Sequence, residues 1–360
     1  MSLDTGEATV DGQGSGRARR TVELAGLGLT GALATFLLVF VVVDWLRFFG
    51  GPTGSLAAGV FDQYVAVGAV LDTLLGTRVF ESPGTIRIVA TGVLIGIVGP
   101  LVGTFLVHRQ MALIGETLAH TAFAGVAVGV VVAGLTGMAG TRDQLIFIAF
   151  IVSALAALGL QWLTEYTDSY GDVPIAIVLT GSFAVGTLLI SMFRDRLAIG
   201  IDIEGFLFGQ IAIVTVEGTR MVAVLTIAVV ALVILNYKQF LFITFDEQAA
   251  RVARLNVRGY NSLLIVMTAV VVVGAMQILG VILVAGLLVI PAAAASQLGR
   301  SFRETLYLSV LFGQVSVLTG LFVALVASLP AGGSIIIVAI IFYVAAVLVS
   351  DRSVGQLSIH

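Results

Sequence analysis

IRIVATGVLIGIVGPLVGTFLVHRQMALIGETLAHTAFAGVAVGVVVAG, residues 86–134, contains two apolar runs, 86–107 and 111–134, parted only by His108, Arg109 and Gln110. Each run exceeds the ~20 apolar residues that an α-helix needs to cross the hydrocarbon core of a bilayer. A polar triplet between two such runs is a turn at a membrane surface, so the stretch reads as a transmembrane helical hairpin. Strands of a membrane β-barrel would be segments of ~10 residues with alternating polarity, and these runs do not alternate.

The rest of the chain repeats the pattern. Of 360 residues, 59% are hydrophobic and 11% charged, and the mean hydropathy is +1.11. Soluble domains carry about 25% charged residues, so this composition excludes a soluble globule and a disordered chain alike. It predicts an all-α, polytopic helical membrane protein with about 9–10 transmembrane helices. Spans are expected near 86–107, 111–134, 144–163, 175–193, 217–237, 261–275, 279–297, 304–328 and 333–350. Residues 205–216 are apolar but too short to span, and read as re-entrant or interfacial.

The run 261–297 needs a break, because one helix over it would rise about 55 Å against a hydrocarbon core of ~30 Å. Gly274, Gly280, Gly286 and Pro291 offer places for one. Two crossings there put Arg300, Arg303 and Arg352 on the same side as Lys238, Arg251, Arg254 and Arg258, as the positive-inside rule favours; Arg194 and Arg196 then fall outside. Upstream, residues 1–20 read as a polar cytoplasmic tail ending in Arg17, Arg19 and Arg20, and residues 21–85 as an extra anchor helix plus an interfacial connection. Residues 86–350 form the transmembrane domain and 351–360 a C-terminal tail. The Gly pairs 92/96, 99/103 and 125/129 have the spacing that lets helix backbones approach closely in lipid.

With a net charge of -3 and no basic tract, no nucleic-acid partner is expected. The chain has no Cys, so a metal could be held only by His, carboxylate, carbonyl or water. Its single Lys, Lys238, is followed by Gln239, which excludes the Gly-Lys-Ser/Thr phosphate-binding loop of ATPases. Any ATP that drives this protein is hydrolysed by another polypeptide. The absence of His-Glu-x-x-His argues against an intramembrane metalloprotease.

Ionisable groups inside hydrocarbon are costly and invite a functional reading. Glu116 and His120 lie four residues apart, on one helical face. A carboxylate and an imidazole so placed can both reach a divalent cation such as zinc or manganese; the alternative puts Glu116 at the cytoplasmic mouth and hydrogen-bonds His120 to a neighbouring helix. Glu165, Asp168 and Asp172, and Asp202 with Glu204, suit solvated loops or caps as well as a cation route. Gln277 and Gln314 suit a pore lining or interhelical hydrogen bonds. FDEQAARVARLNVRGYN, residues 245–261, opens with acids and continues with bases, which suits the dipole of a short cytoplasmic helix. Such a helix either docks on a soluble partner or is an ordinary basic inner loop.

At these residues the chain resembles the ABC-3 family, the permease subunits of ABC importers for zinc and manganese. Residues 99–129 resemble its first motif, with Arg109, Glu116, His120 and Gly125 matching. IEGFLFGQI (203–211) is similar to its Leu-Phe-Gly element, VGAMQILGVILVAGLLVIPAAAA (273–295) to its Gly-rich stretch ending in Pro-Ala-Ala, and PAGGSIIIV (330–338) to its last element. The loop at Asp246 resembles the segment that couples such permeases to the ATPase, with Asp246, Glu247, Ala250 and Arg251 at its core. The family usually carries Gly where Arg254 stands.

The resemblance implies an importer permease of the metal-chelate/vitamin B12-like type in the plasma membrane. It implies that the protein is a transport component rather than an enzyme, that it carries no cofactor, and that its substrate is zinc or manganese. It further implies ATPase subunits that bind ATP, a second permease copy in a homodimer, and an extracellular or periplasmic metal-binding protein. Glu116 and His120 would form a gate or transient ligands. The rival reading is a secondary transporter or channel driven by an ion gradient, which predicts internal inverted repeats; none is evident.

Overall fold

The computed structural model describes residues 8–49, 51–75, 80–136, 142–166, 173–193, 214–327 and 329–350. Among these residues the secondary structure is helical throughout. Two helices, α1 (Ala8–Leu46) and α2 (Pro52–Leu75), precede the hairpin α3 (Pro83–His108) and α4 (Leu113–Thr136). Then follow α5 (Arg142–Tyr166), α6 (Val173–Phe193) and α7 (Val216–Leu235), and the short α8 (Tyr237–Phe245) and α9 (Glu247–Val252). The chain closes with α10 (Val257–Leu279), α11 (Val281–Leu298), α12 (Phe302–Ala327) and α13 (Ala331–Val349). Nine of the described helices are long and apolar enough to cross a membrane on their own.

The core is the packing of α3 against α11 and α12, flanked by α7 on one side and by α4 with α10 on the other; α5 and α6 pack on α4. Lipid offers no hydrophobic drive between helices, so close backbone contact and interhelical hydrogen bonds do the work. A Cβ on Gly103 would overlap the Leu288 carbonyl oxygen of α11, and one on Gly313 of α12 would overlap the carbonyl of Gly96. That carbonyl is the one Pro100 leaves without its helical donor. Buried Thr104 and Ser309 then bond hydroxyl to hydroxyl at 2.7 Å, linking α3 to α12. Of the expected Gly pairs, 92/96 faces α12 and 99/103 faces α11, while Gly125 meets Ala149 of α5.

The run 261–297 breaks at one of the four expected positions, Gly280, whose φ of 83° is open to glycine and strained for other residues. Pro291 stays inside α11. Two expectations near the N-terminus change. Residues 8–20, expected as a tail, continue the anchor as helix, with no proline to stop it. Within the expected interfacial connection, where the sequence suggests a short amphipathic segment over 56–75, a full 24-residue helix runs from Pro52 to Leu75. Residues 205–213 of the expected re-entrant segment, Arg194, Arg196, Asp202, Glu204, Asp168, Asp172 and Arg352 lie outside the described residues, as do the side chains of Glu165 and Gln277.

Candidate functional site

One end of the bundle carries α8 and α9, and there the loop read as a docking segment takes a defined shape. After α8 the backbone at Asp246 turns extended (φ -149°, ψ 91°), and the Asp246 carboxylate accepts a hydrogen bond from the Ala249 N–H at 2.8 Å. That is an N-cap, satisfying one of the four free donors of a helix start. Glu247 in the first turn and Arg251 in the last complement the helix dipole and pair at 2.6 Å. Ala250 is fully buried against Ile243 and Val257, which anchors the helix by its inner face. Its outer face leaves Val252 86% exposed, an apolar side chain projecting into solvent from a polar loop.

The end of α9 explains an oddity of the sequence. The Arg254 N–H bonds the Arg251 carbonyl at 3.0 Å and the Leu255 N–H bonds the Ala250 carbonyl at 3.1 Å, the paired bonds of a Schellman cap. Such a cap needs a left-handed residue, and Arg254 supplies it at φ 61°. The same cap ends α3, where Gln110 has φ 58° and Gln110 and Met111 donate to Val107 and Leu106. Both turns hold a side chain where glycine is favoured.

Arg109 joins the two turns. Its side chain, 9% exposed, donates to Asn261 Oδ1 of α10 at 2.8 Å and lies 3.6 Å from the Glu247 carboxylate. Burial pulls its pKa below the ordinary arginine value, and the Glu247 charge opposes that shift. The α3–α4 corner is thereby tied to α9 and α10. Beside it, Phe302 at the start of α12 meets Phe105, His108 and Phe245, with ring centroids 5.1, 5.0 and 5.6 Å away. Edge-on contacts of this kind lock α3, α8 and α12 together.

Glu116 sits in the first turn of α4 and is exposed on the side of the bundle, while His120 one turn deeper is half-buried. The His120 ring stands edge-on to Phe183 of α6, with centroids 5.2 Å apart. Its Nδ1 is buried and meets no hydrogen-bond partner among the described residues. Buried polar atoms are usually paired, and one that is not calls for a reason. No group of three or more His, Asp and Glu residues is close enough to enclose a metal ion among the described residues.

Glu116 with His120 therefore forms one locus, and Asp246, Glu247, Ala250 and Arg251 form a second at the α8–α9 end. Arg109, matched by motif but given no role in the sequence reading, ties the end of α3 to the second locus through Glu247 and to α10 through Asn261. Gln314 is 1% exposed, and its Oε1 has no partner among the described residues.

These features define a class: an integral-membrane helical bundle bearing a capped surface helix that Arg109 ties to the end of α3. The chain belongs to the ABC 3 transport family, whose model matches residues 83–350. It is 32% identical over 256 residues to the manganese transport system membrane protein MntC of Listeria innocua, covering 71% of this chain and 87% of that one. It is 31% identical to MntD of Bacillus subtilis over 282 residues (74% and 92%). To the high-affinity zinc uptake system membrane protein ZnuB of Haemophilus influenzae it is 24% identical over 263 residues (73% and 96%). Among solved structures, PsaBC from Streptococcus pneumoniae in complex with Fab superposes with a TM-score of 0.66 at 27% identity, covering 77% of this chain and 95% of that one. A metal-chelate type ABC transporter in an inward-facing conformation shares the fold, with a TM-score of 0.54 at 17% identity, covering 90% and 96%. The fold is that of metal ABC transporter permeases, and the family match begins where α3 begins.

Proposed function

We propose that this chain is the permease subunit of an ABC importer that moves zinc or manganese into the cell, powered by ATP hydrolysis on separate subunits. The observation that carries the reading is the tie from α9 through Arg109 to the α3–α4 corner, one turn before Glu116. A partner that grips the exposed Val252 and Arg251 face moves α9 as a lever, and Arg109 passes that movement to α4. ATP binding and hydrolysis then need only switch between two arrangements with different affinity for the cation.

The exposed Glu116 favours a second permease copy, since a carboxylate on a bundle flank is better placed on a shared central route than against lipid. An external metal-binding protein supplies the ion. The α8–α9 end is cytoplasmic in this reading: among the described residues it carries Arg109, Lys238, Arg251, Arg254, Arg258, Arg300 and Arg303, against Arg47, Arg87, Arg142 and Arg220 at the other end. By the positive-inside rule the N-terminus of α1 lies on the same cytoplasmic side.

The test is elemental analysis of cells lacking the protein, grown in metal-limited medium with other uptake systems removed. A selective deficit in zinc or manganese, restored by the wild-type gene and not by a well-expressed His120→Ala variant, is expected. No deficit in zinc, manganese or iron refutes the reading, and full restoration by His120→Ala removes that residue from the route.

A further inference from the structure

The family match leaves α1 and α2 unaccounted for, and α2 presents a contradiction. By length and composition it can cross a membrane, yet both of its ends are tied to the same end of the bundle. Asp44, at the end of α1, is 4% exposed and takes a two-point bond from Arg87 in the first turns of α3, at 2.8 and 3.0 Å. Arg47 adds to it at 2.8 Å and lies over the Phe61 ring at 3.9 Å. The exit of α1 and the entry of α3 therefore coincide, at the end opposite α8 and α9.

The start of α2 lies there too: Gly54 abuts the Phe49 carbonyl just after α1. So does its finish, because the Asp72 carboxylate accepts from the N–H groups of Phe80 and Glu81, at 3.1 and 2.7 Å, immediately before the Ser82 cap of α3. Glu81 is two residues from Pro83, and two residues reach about 7 Å. Asp72 is thus held within a short reach of the head of α3, and the far side of a ~30 Å core is out of range.

The faces of α2 agree. Ala57, Phe61, Gly68 and Asp72 are turned to the protein and buried. Leu56, Val60, Val67, Val70 and Leu74 are exposed along one flank. The remaining stripe, at helical spacing, is Ser55, Gly59, Asp62, Ala66 and Thr73, free of large apolar groups and largely exposed. A spanning helix would carry Asp62 to mid-membrane; a helix lying in the interface turns that stripe to water and its apolar flank to lipid. Beneath α2, a cavity of about 760 Å³ is walled by apolar side chains such as Leu37, Val67, Ile86 and Leu321, a space suited to acyl chains.

The geometry points to α2 as an interfacial helix seated in the leaflet at the α1-exit end of the bundle, its occupant the lipid of that leaflet, and not as a crossing. The chain then crosses ten times, by α1, α3–α7 and α10–α13, with both termini on the α8–α9 side. That the leaflet is the outer one rests on the orientation proposed above.

The chain has no cysteine, so single-cysteine variants report cleanly. T53C, D62C and T73C, each checked for metal uptake and expressed with the complete transporter, are treated with a membrane-impermeant maleimide before and after permeabilisation. Labelling of all three in intact cells is expected. Labelling of T53C from outside and of T73C only after permeabilisation overturns the inference, as does a D62C that reacts only in detergent. Labelling of all three only after permeabilisation keeps α2 on one surface and overturns the orientation instead.

Discussion

Replacing Arg254 by glycine should tighten the C-terminus of α9. At φ 61° an L-residue bears a steric cost of about 1–2 kcal/mol, and glycine returns ~0.5–1 kcal/mol of that through its larger loss of backbone freedom. The Arg254 side chain is exposed and its backbone bonds to Arg251 are kept, so the net gain is roughly 0.5–1 kcal/mol. That corresponds to about a 2–5-fold drop in local opening. Hydrogen exchange at the Leu255 amide, which donates to the Ala250 carbonyl at 3.1 Å, reads it directly. Exchange should slow by that factor in Arg254→Gly and stay unchanged in Arg254→Ala, which keeps the Cβ. Unchanged or faster exchange in the glycine variant would falsify the argument that a left-handed residue limits this cap.

Gly103→Val should force α3 and α11 apart, costing about 1–3 kcal/mol, and lower the thermal midpoint in detergent. Gly333→Val, with nothing within 4 Å of its Cβ position, should leave that midpoint in place. Asp246→Ala removes the N-cap of α9, worth about 1 kcal/mol, and should weaken ATPase co-purification while permease expression stays normal. Arg109→Gln gives up a charge-assisted bond of about 1.5–3 kcal/mol, less the screening at the half-exposed Glu247. The ATPase should still bind, but metal moved per ATP hydrolysed should fall; unchanged coupling would show that Arg109 only packs.

The nine spans expected after residue 85 match observed helices to within about four residues at each end, because a run of apolar residues can satisfy its backbone in lipid only as a helix. The short helix α9 was legible for a local reason: its cap, its dipole charges and its Glu247–Arg251 pair all lie within six residues. Glu116 and His120 shared a face by spacing alone. Arg109 had no such signature, because its partner Asn261 is 152 positions away. The aromatic hub at Phe302 likewise joins rings from α3 and α8 to α12, three helices far apart in the chain. The unpartnered Nδ1 of His120 follows from what α6 places opposite it, a Phe ring.

Residues 44–82 show where the boundary runs. The sequence reads them as part of an anchor helix plus an interfacial connection; the full length of α2 makes it a candidate crossing instead, and neither reading contains the distance between its ends and the head of α3. Asp44 to Arg87 and Asp72 to Glu81 supply that distance. The sequence by itself determined that the chain is a helical membrane protein, since hydropathy and backbone satisfaction are local properties of each segment. Only the tertiary structure decided that both ends of α2 meet one end of the bundle, that Arg109 ties the end of α3 to α9 and α10, and that a Phe ring faces His120, because each depends on contacts between segments far apart in the chain.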